Sequence, residues 1–400
     1  MTSKLKAGYI GAGFAASFHH SSLLSGAREL VEPVGVYSPR KESRERFAAE
    51  RGLRSFESLE GLLDAVDVVH ICAPAVHHEK AAVAALERNL SVILEKPFTG
   101  YFGPEGDEAF RGNRFPKEEM KRGALASAGR ILAAEQSSKG RIYYAENWVF
   151  TPVIQKEVEI IRKTKAQLLW MVAEESHSGS HSPTYGIWRS SGGGSIMGKG
   201  THPLTTVLYL KRIEGLERNG LPIRPAGVSA RTHEITRAPS FEDKGHLRTD
   251  YFDVEDYGMV HVRFEDGMVA DVFSTEIVMG GVHNWLEVFA NNHRTRCNIN
   301  PIDAVETYNP VDAQLSDVYV VEKIGTKQGW SRPAPDEDWM NGYVQELRHF
   351  YDLISGGRPT DCSAELGYDT VDVIYSAYLS AERGGAEVAL STERPTGAAG

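Results

Sequence analysis

Apolar and polar residues follow two different rhythms along this chain of 400 residues. Up to residue 150, short apolar runs rich in β-branched residues alternate with longer stretches of helical spacing. Continuous apolar runs are typical of strands buried on both faces, and their alternation with helices predicts a parallel sheet covered on both sides. The predicted strands lie at residues 7–10, 34–37, 67–72, 91–94 and in a run that begins at 141, with helices at about 79–88 and 117–137.

After residue 151 the rhythm changes to alternating apolar and polar positions, which is typical of strands with one face in the core. These strands follow one another with few helices between them, so we expect a large open antiparallel sheet with flanking helices. The predicted strands are residues 167–173, 227–236, 258–264, 268–278 and 285–290, with 318–322 as a shorter candidate. Asp266-Gly267 is a strong hairpin signal within this series.

The length and the change of rhythm predict two domains. We place a doubly wound parallel-sheet domain at residues 1–150 and an α+β domain for substrate binding and oligomerisation at 151–390, followed by a small polar tail at 391–400. A helix at about 153–164 opens the second domain, and helices at about 343–355 and 364–383 close it. We expect the segment 343–385 to pack back on the first domain.

Residues 98–115 form a stretch rich in glycine, phenylalanine and charged residues directly after the fourth predicted strand. Long loops without regular structure are often lids or binding loops in compact domains. The stretch is therefore either a cover over a neighbouring site or a surface loop that makes subunit contacts, and the residues leave both interpretations open.

The composition excludes several classes of partner. The formal net charge is -10 and no long basic run occurs, so nucleic acid and anionic membranes are not expected partners. The N-terminus has no apolar signal-type region, and three widely spaced cysteines favour a reducing cytoplasm over a disulfide framework. We expect a cytoplasmic enzyme that acts on a small molecule.

The first strand runs into Gly11-x-Gly13-x-x-Ala16, the spacing of a dinucleotide-binding turn. The first glycine permits the tight turn, the second lets the backbone approach a pyrophosphate, and the helix N-terminus faces the phosphate charge. This pattern predicts a Rossmann domain that binds NAD. Candidate cofactor contacts are Gly11, Ala12, Gly13, Phe14, Ala15, Ser38 and Arg40. Ser38 and Arg40 stand where an acid often binds the ribose of NAD, so NADP remains possible.

Lys96 is the first candidate for chemistry. It follows the buried run Ser91–Glu95, and ligands of open α/β sheets bind outside the carboxyl ends of the strands. By residue type alone, a lysine at a strand exit is more often a solvated surface residue. Its position after a dinucleotide-binding turn reverses that judgement. We expect burial near a cationic nicotinamide to depress its pKa.

The chain resembles the glucose–fructose oxidoreductase, inositol dehydrogenase and MocA (Gfo/Idh/MocA) family of nicotinamide-dependent enzymes. The resemblance rests on the glycine turn, on Ala73-Pro74-x-x-x-His78 and, most specifically, on Glu95-Lys96-Pro97. It implies that Ala73, Pro74, His78, Glu95 and Lys96 also line the cofactor site. It further implies a homodimer or homotetramer.

In the second half, the family pattern Asp-x-Gly-x-His-x-x-Asp aligns with residues 198–205. Gly200 and His202 match, but Gly198 and Thr205 replace the two acids. The resemblance implies that Lys96 and His202 exchange the hydroxyl proton, with Lys199 adding positive charge. Asn147 matches a pocket position of the family, whereas Val149 replaces the expected arginine. Tyr144 and Glu146 end the same strand and are further pocket candidates, with Tyr144 and Lys199 as extra acid/base groups.

The stretch 174–188 carries many hydroxyls and imidazoles, a composition that suits a hydroxyl-rich and possibly anionic ligand. The candidate substrate contacts here are His177, Ser178, His181, Tyr185 and Trp188, of which the aromatic side chains can stack on a sugar. A metal site from His177 and His181 is the rival interpretation, but glycine and serine between them argue against the helix it needs. We predict no metal, and a polar loop without a role stays open.

Three functions share the predicted site. In a net dehydrogenase of sugars, glycosides or cyclitols, the ketone and the reduced cofactor leave. In an NAD-dependent glycosidase, transient oxidation at C3 permits C2 deprotonation, elimination, water addition and re-reduction. Because the first acid of the His202 block is missing, we favour the glycosidase, with an anionic sugar such as a sulfoquinovoside as substrate. The third interpretation is a nicotinamide-dependent sensor without catalysis, against which Lys96 and His202 argue.

Overall fold

The computed structural model describes residues 4–179, 184–300, 304–321 and 324–391. Its first sheet has six parallel strands in the order β3-β2-β1-β4-β5-β6. The strands are β1 (Leu5–Ile10), β2 (Val31–Tyr37), β3 (Arg54–Phe56), β4 (Val68–Ile71), β5 (Ser91–Glu95) and β6 (Ile142–Ala145). The helices that alternate with them are α1 (Phe14–Gly26), α2 (Lys41–Arg51), α3 (Leu59–Leu63), α4 (His78–Leu86) and α5 (Lys117–Gln136). This confirms the predicted doubly wound sheet.

The strand order reverses between β1 and β4, and ligands of this fold bind in the crevice at that point. Gly11, directly after β1, has φ +106°. A Cβ at Gly11 would lie 2.7 Å from the carbonyl oxygen of Cys72, which directly follows β4. Only glycine therefore allows the two strand ends to close the crevice as tightly as they do.

The remainder of the chain builds a second sheet with helices on one side. The helices are α6 (Asn147–Phe150), α7 (Pro152–Thr164), α8 (Trp188–Ser191), α9 (Thr201–Asn219), α10 (Glu337–Met340), α11 (Tyr343–Ser355) and α12 (Ala364–Glu382). The strands are β7 (Leu168–Ser176), β8 (Pro225–His233), β9 (Tyr257–Phe264), β10 (Val269–Thr275), β11 (His283–Ala290), β12 (Arg294–Asn298), β13 (Thr307–Asn309), β14 (Gly329–Ser331) and β15 (Val388–Ala389).

The second sheet has seven strands in the order β12-β11-β7-β10-β9-β8-β15. The prediction of an antiparallel sheet is wrong at one position, because β7 and β10 pair in parallel. The long connection through α9, β8 and β9 returns the chain in the direction of β7, as parallel neighbours require. The prediction of a strand at 318–322 is also wrong as far as the structure describes it. Residues 318–321 do not form a strand, and residue 322 is not among the described residues.

The closing helices lie against elements from both halves of the chain. α11 packs on α1, where the Arg348 guanidinium donates to the Gly26 carbonyl oxygen at 3.3 Å. A Cβ at Gly26 would lie 2.7 Å from the Val344 carbonyl oxygen, so the contact depends on glycine. α12 packs against α5, α9 and β8, and one apolar core runs continuously through both sheets. The boundaries 1–150 and 151–390 stay predictions.

Candidate active site

The glycine turn presents an open backbone surface to the crevice. Gly13 is the N-cap of α1, no side chain caps this end, and nothing lies within 4 Å of the position of a Cβ at Gly13. Ala16 is fully buried against Tyr9, so the helix approaches the sheet closely. Free N–H groups at a helix N-terminus are the donors that a dinucleotide phosphate requires. The observed geometry therefore fits NAD at the predicted residues, with Phe14 exposed at the rim.

The other predicted cofactor contacts divide into two groups. Ser38 and Arg40 follow β2 at the same edge of the sheet, and Ala73 and Pro74 follow β4. Their roles stay predictions. His78 is 1% exposed, and its Nδ1 and Nε2 lie 2.9 Å from the carbonyl oxygens of Pro97 and Ala73, respectively. The imidazole therefore lies between the exits of β4 and β5, and its contact with the cofactor stays a prediction.

Lys96 lies where β5 leaves the sheet, and its Nζ donates to the Gly198 carbonyl oxygen at 3.2 Å. Burial lowers the pKa of Lys96, but its interactions with Tyr185, Glu175, Glu95 and Glu146 outweigh burial and raise the pKa above its ordinary value. The protein groups alone thus raise this pKa, and the depression expected beside a cationic nicotinamide stays a prediction. The lysine is a stable cation at neutral pH.

Glu95, the residue before Lys96, fixes the backbone at the lysine. One carboxylate oxygen accepts from the backbone N–H of Lys96 at 2.9 Å, and the other accepts from Nε2 of His19 at 3.0 Å. These hydrogen bonds continue into the interior. His19 Nδ1 lies 2.9 Å from His70 Nδ1, and His70 Nε2 lies 2.7 Å from the Tyr351 hydroxyl. Through these contacts Glu95 positions Lys96, and its contact with the cofactor stays a prediction.

His202 is in the first turn of α9, directly after a π-helical turn at Ile196–Gly200. Its Nδ1 donates to Oε1 of Glu146, which is fully buried at the end of β6. The imidazole also stacks on Trp148, with ring centres 5.9 Å apart and planes 16° apart. A carboxylate that accepts from Nδ1–H fixes the tautomer in which Nε2 is the base. The acid that seemed to be absent from the sequence block is therefore supplied by Glu146.

Tyr185 occupies the space beside Gly198. A Cβ at Gly198 would lie 2.9 Å from Cε1 of Tyr185, so an aspartate cannot be added there without moving the ring. Tyr185 and Glu146 are also close enough to Lys96 to contribute to the raised pKa of the lysine. Lys96 and Tyr185 thus both lie beside Gly198, with the Glu146–His202 pair nearby.

Lys199 is only 2% exposed and forms an ion pair with Glu276. Glu276 also accepts from the Tyr251 hydroxyl at 3.0 Å. The prediction that Lys199 adds free positive charge or acts as an acid/base group is wrong, because its charge is neutralised in the interior. The pairing of Lys199 with Glu276 also removes one argument for an anionic substrate.

Tyr144 and Trp188 are not pocket residues, contrary to the prediction. Tyr144 is fully buried, and burial together with the nearby Glu146 raises the pKa of its hydroxyl well above the ordinary value. Trp188 is 2% exposed, and its indole N–H donates to the Tyr101 carbonyl oxygen at 3.0 Å. A Cβ at Gly112 would lie 2.2 Å from this indole ring, so the ring faces the inserted loop and not a sugar.

Three further candidates have positions but unproven roles. The amide of Asn147 donates to the Asn341 carbonyl oxygen at 2.8 Å, which fixes the α10–α11 connection. His177 and Ser178 directly follow β7 at the site edge, with the His177 backbone N–H donating to the Thr275 carbonyl oxygen at 3.2 Å. His181 lies outside the described residues. Substrate contact by His177, Ser178 and His181 stays a prediction.

The loop at residues 98–115 is bound to residues from the second half of the chain. Asp253 accepts from the backbone N–H groups of Gly112 and Trp188, both at 2.7 Å. The Tyr375 hydroxyl accepts from the Tyr101 N–H at 2.6 Å and lies 2.8 Å from the Gly192 carbonyl oxygen. The loop thus fixes the chain that leads into the π-helical turn before His202.

Comparison with known proteins identifies the first domain. Residues 5–105 match the family model GFO_IDH_MocA, described as an oxidoreductase family with an NAD-binding Rossmann fold. Residues 5–105 are therefore similar to the NAD-binding Rossmann domain of this oxidoreductase family. The glucose-6-phosphate 3-dehydrogenase of Bacillus subtilis (strain 168) is 35% identical over 92 residues, which cover 23% of this chain and 26% of that protein. The chain thus matches about a quarter of the length of this curated relative.

Two solved structures share the fold over the full chain. GenD2 from gentamicin A biosynthesis, in complex with NAD, is 22% identical with a TM-score of 0.76 and covers 98% of both chains. The myo-inositol dehydrogenase of Lactobacillus casei, in complex with NAD(H) and myo-inositol, is 15% identical with a TM-score of 0.68 and covers 98% of this chain and 99% of its own. The predicted fold class, a Rossmann parallel sheet followed by an α+β domain with a large open sheet and flanking helices, is thereby confirmed.

Proposed function

We propose that the protein is a net NAD-dependent dehydrogenase of a sugar or cyclitol. The observation that carries this proposal is the arrangement of cationic Lys96 and the Glu146–His202 pair at the crevice of an NAD-binding Rossmann domain. One named relative oxidises a sugar phosphate and another is an inositol dehydrogenase, which supports the same substrate class.

NAD supplies the hydride acceptor when bound. Nε2 of His202 takes the proton of the substrate hydroxyl, since Glu146 holds the Nδ1–H and stabilises the imidazolium that forms. The Lys96 ammonium donates a hydrogen bond to the same substrate oxygen and stabilises the negative charge that develops there. The hydroxyl and its carbon each lose a hydrogen, and a ketone remains.

The glycosidase interpretation loses its main support. It depended on the apparent absence of an acidic partner for His202, and Glu146 is that partner. It also used Tyr144 and Lys199 as extra acid/base groups, but Tyr144 is fully buried and Lys199 is paired with Glu276 in the interior. Two of the relatives named above are dehydrogenases, so we replace the earlier preference with net oxidation.

Incubation with NAD and a panel of sugars and cyclitols tests the proposal. The panel contains glucose, glucose 6-phosphate, myo-inositol and an aryl glucoside, with Lys96→Met as the inactive control. We expect stoichiometric NADH with at least one compound. Release of the aryl group without accumulated NADH would instead establish the glycosidase. The predicted homodimer or homotetramer and the cytoplasmic location stay predictions. No helix among the described residues is long and apolar enough to cross a bilayer.

A further inference from the structure

Glu175 is a buried carboxylate beside the reacting groups that the proposed chemistry does not use. It alternates along β7 with Met171 and Ala173, so its side chain points to the inner face of the sheet. The residue is 8% exposed, and its Oε2 receives no hydrogen bond from the described parts of the chain. Burial raises the pKa of Glu175 against the opposing effect of His202, Lys96 and Lys199. Burying a carboxyl oxygen without a hydrogen bond is energetically unfavourable, so a ligand that donates to it would be stabilised there.

A second acceptor lies next to it. Asn284 on β11 is directly opposite Glu175 in the antiparallel register, and opposed residues on neighbouring strands share one face. Asn284 is also 8% exposed, and its Oδ1 likewise has no donor within residues 4–179, 184–300, 304–321 and 324–391. Ser274 on β10 pairs with Glu175 from the other side. Three polar side chains on adjacent strands thus form one patch in an otherwise apolar sheet interior.

The cations near this patch are already engaged. Lys199 is paired with Glu276, and His202 is bound to Glu146. Lys96 donates to the Gly198 carbonyl oxygen. Glu175 therefore lacks a hydrogen-bonded cation among the described residues, although the charges of His202, Lys96 and Lys199 act on its carboxyl group.

We propose that Glu175 and Asn284 bind an ammonium group of the substrate, which makes the substrate an amino sugar or an aminocyclitol. This inference rests on the proposed dehydrogenase function and specifies its substrate class. An ammonium has three N–H donors and can satisfy both oxygens at once, whereas a sugar hydroxyl has one. A charged donor also compensates the desolvated carboxylate, which a neutral hydroxyl does not.

The test uses the full chain with NAD and matched probes. The amino probes are 2-amino-, 3-amino- and 6-amino-deoxyglucose and 1-amino-1-deoxy-scyllo-inositol. Their controls are glucose, scyllo-inositol and the N-acetyl derivatives, which keep the position but lose the charge. We expect at least one amino probe to exceed its parent in kcat/KM by roughly 10-fold or more. Glu175→Gln should bring that ratio close to one, and Asn284→Ala should lower it.

Glu174→Gln is the matched control, because Glu174 precedes Glu175 on β7 but faces the opposite side, where it accepts from the Trp285 indole N–H at 3.1 Å. This variant should keep the preference of the wild type. Equal or better turnover of the parents or N-acetyl derivatives, or an unchanged ratio in both Glu175→Gln and Asn284→Ala, would overturn the inference while leaving the dehydrogenase intact.

Calorimetric binding of the same probes separates this inference from the function itself. If no compound yields NADH, the dehydrogenase proposal fails. The ammonium site then stands only if an amino probe binds wild-type protein more tightly than its parent and Glu175→Gln abolishes the difference. Equal binding, or no binding of any amino probe, would refute it.

Discussion

Glu146 accepts a hydrogen bond from Nδ1 of His202, although 56 positions separate the two residues in the chain. The contact joins the end of β6 to the first turn of α9 and so crosses from the first sheet to the second. It defines which imidazole nitrogen faces the substrate. The pair is therefore the part of the site on which the proposed proton transfer depends most directly.

Glu146→Gln should lower kcat by roughly 10- to 100-fold, because the amide no longer fixes the tautomer of His202 or stabilises its cation. NADH formation at saturating substrate measures the effect, and the pH profile of kcat should shift with it. Glu157→Gln is the control, since Glu157 is also a fully buried glutamate paired with a histidine. Its Oε1 lies 2.8 Å from Nε2 of His293, and this pair is away from the site. A similar loss of kcat in both variants would show that Glu146 has only a structural role.

Lys96→Met should lower kcat by roughly 10²- to 10⁴-fold while NAD still binds, because the charge that stabilises the substrate oxygen is lost. Lys96→Arg keeps the charge, but the larger, planar guanidinium cannot reproduce the position of the compact ammonium at the Gly198 carbonyl oxygen, so we expect partial activity at most. Since the pKa of Lys96 is raised, its deprotonation should not appear in a wild-type pH profile between about pH 6 and 9. NAD-induced fluorescence quenching checks cofactor binding, and a loss of both signals would contradict the assigned role.

Much of this architecture is predictable from local pattern. The helices at 343–355 and 117–136 follow the apolar spacing closely, and the glycine turn identifies the cofactor crevice. The side chains that complete the site are different, because no spacing in the sequence links Glu146 to His202. The position of Glu175 could have been predicted from the sequence. If the alternation of the predicted strand 167–173 is extended by two residues, Glu175 falls on the inner face.

The wrong assignments share a physical cause. Lys199 and Trp188 have the side chains that a sugar pocket uses, but each has an interior partner that is remote in sequence, Glu276 for the lysine and Tyr101 for the indole. Residue type and position near a motif cannot reveal such partners. The parallel β7–β10 pair was missed for the same reason, since strand order depends on packing between distant segments.

Lys199→Met should destabilise the fold by roughly 3–5 kcal/mol, because Glu276 would remain as an uncompensated charge in the interior. Urea unfolding measures the change. The double variant Lys199→Met/Glu276→Gln should recover most of the loss, since it removes both charges. If the single variant stays folded but loses turnover with no loss of stability, Lys199 belongs to the catalytic machinery after all.

Gly198→Asp, which restores the acid of the family pattern, should reduce activity instead of raising it. The new Cβ would lie 2.9 Å from the Tyr185 ring, and overpacking of this kind costs about 1–3 kcal/mol. The double variant Tyr185→Ala/Gly198→Asp should regain part of the lost kcat, because the ring that excludes the aspartate is gone. Gly200→Ala is the steric control, since its Cβ would lie 3.3 Å from the Ser274 hydroxyl. Higher activity in Gly198→Asp alone would show that Tyr185 does not define this part of the site.

Glu255 should make the stability of the protein depend on pH near neutrality. Its carboxylate accepts from the backbone N–H groups of Gly194 at 3.1 Å and Ile196 at 3.0 Å and from the Tyr378 hydroxyl at 2.8 Å. Burial nevertheless raises the pKa of Glu255 from 4.5 to about 7. Between these two values the folded state binds more protons at this group than the unfolded state, so its contribution to stability falls as pH rises.

Urea unfolding of wild type and Glu255→Gln at pH 5, 6, 7 and 8 measures this contribution as a difference between the two proteins, which cancels the other titrating groups. We expect the wild type to lose stability relative to the variant by an amount on the order of 1.4 kcal/mol per pH unit up to about pH 7, and little beyond. The loss would loosen the segment before His202, because Glu255 binds the amides that begin it. Parallel stability curves for the two proteins would show instead that Glu255 is ionised throughout this range, and that its three hydrogen bonds outweigh burial.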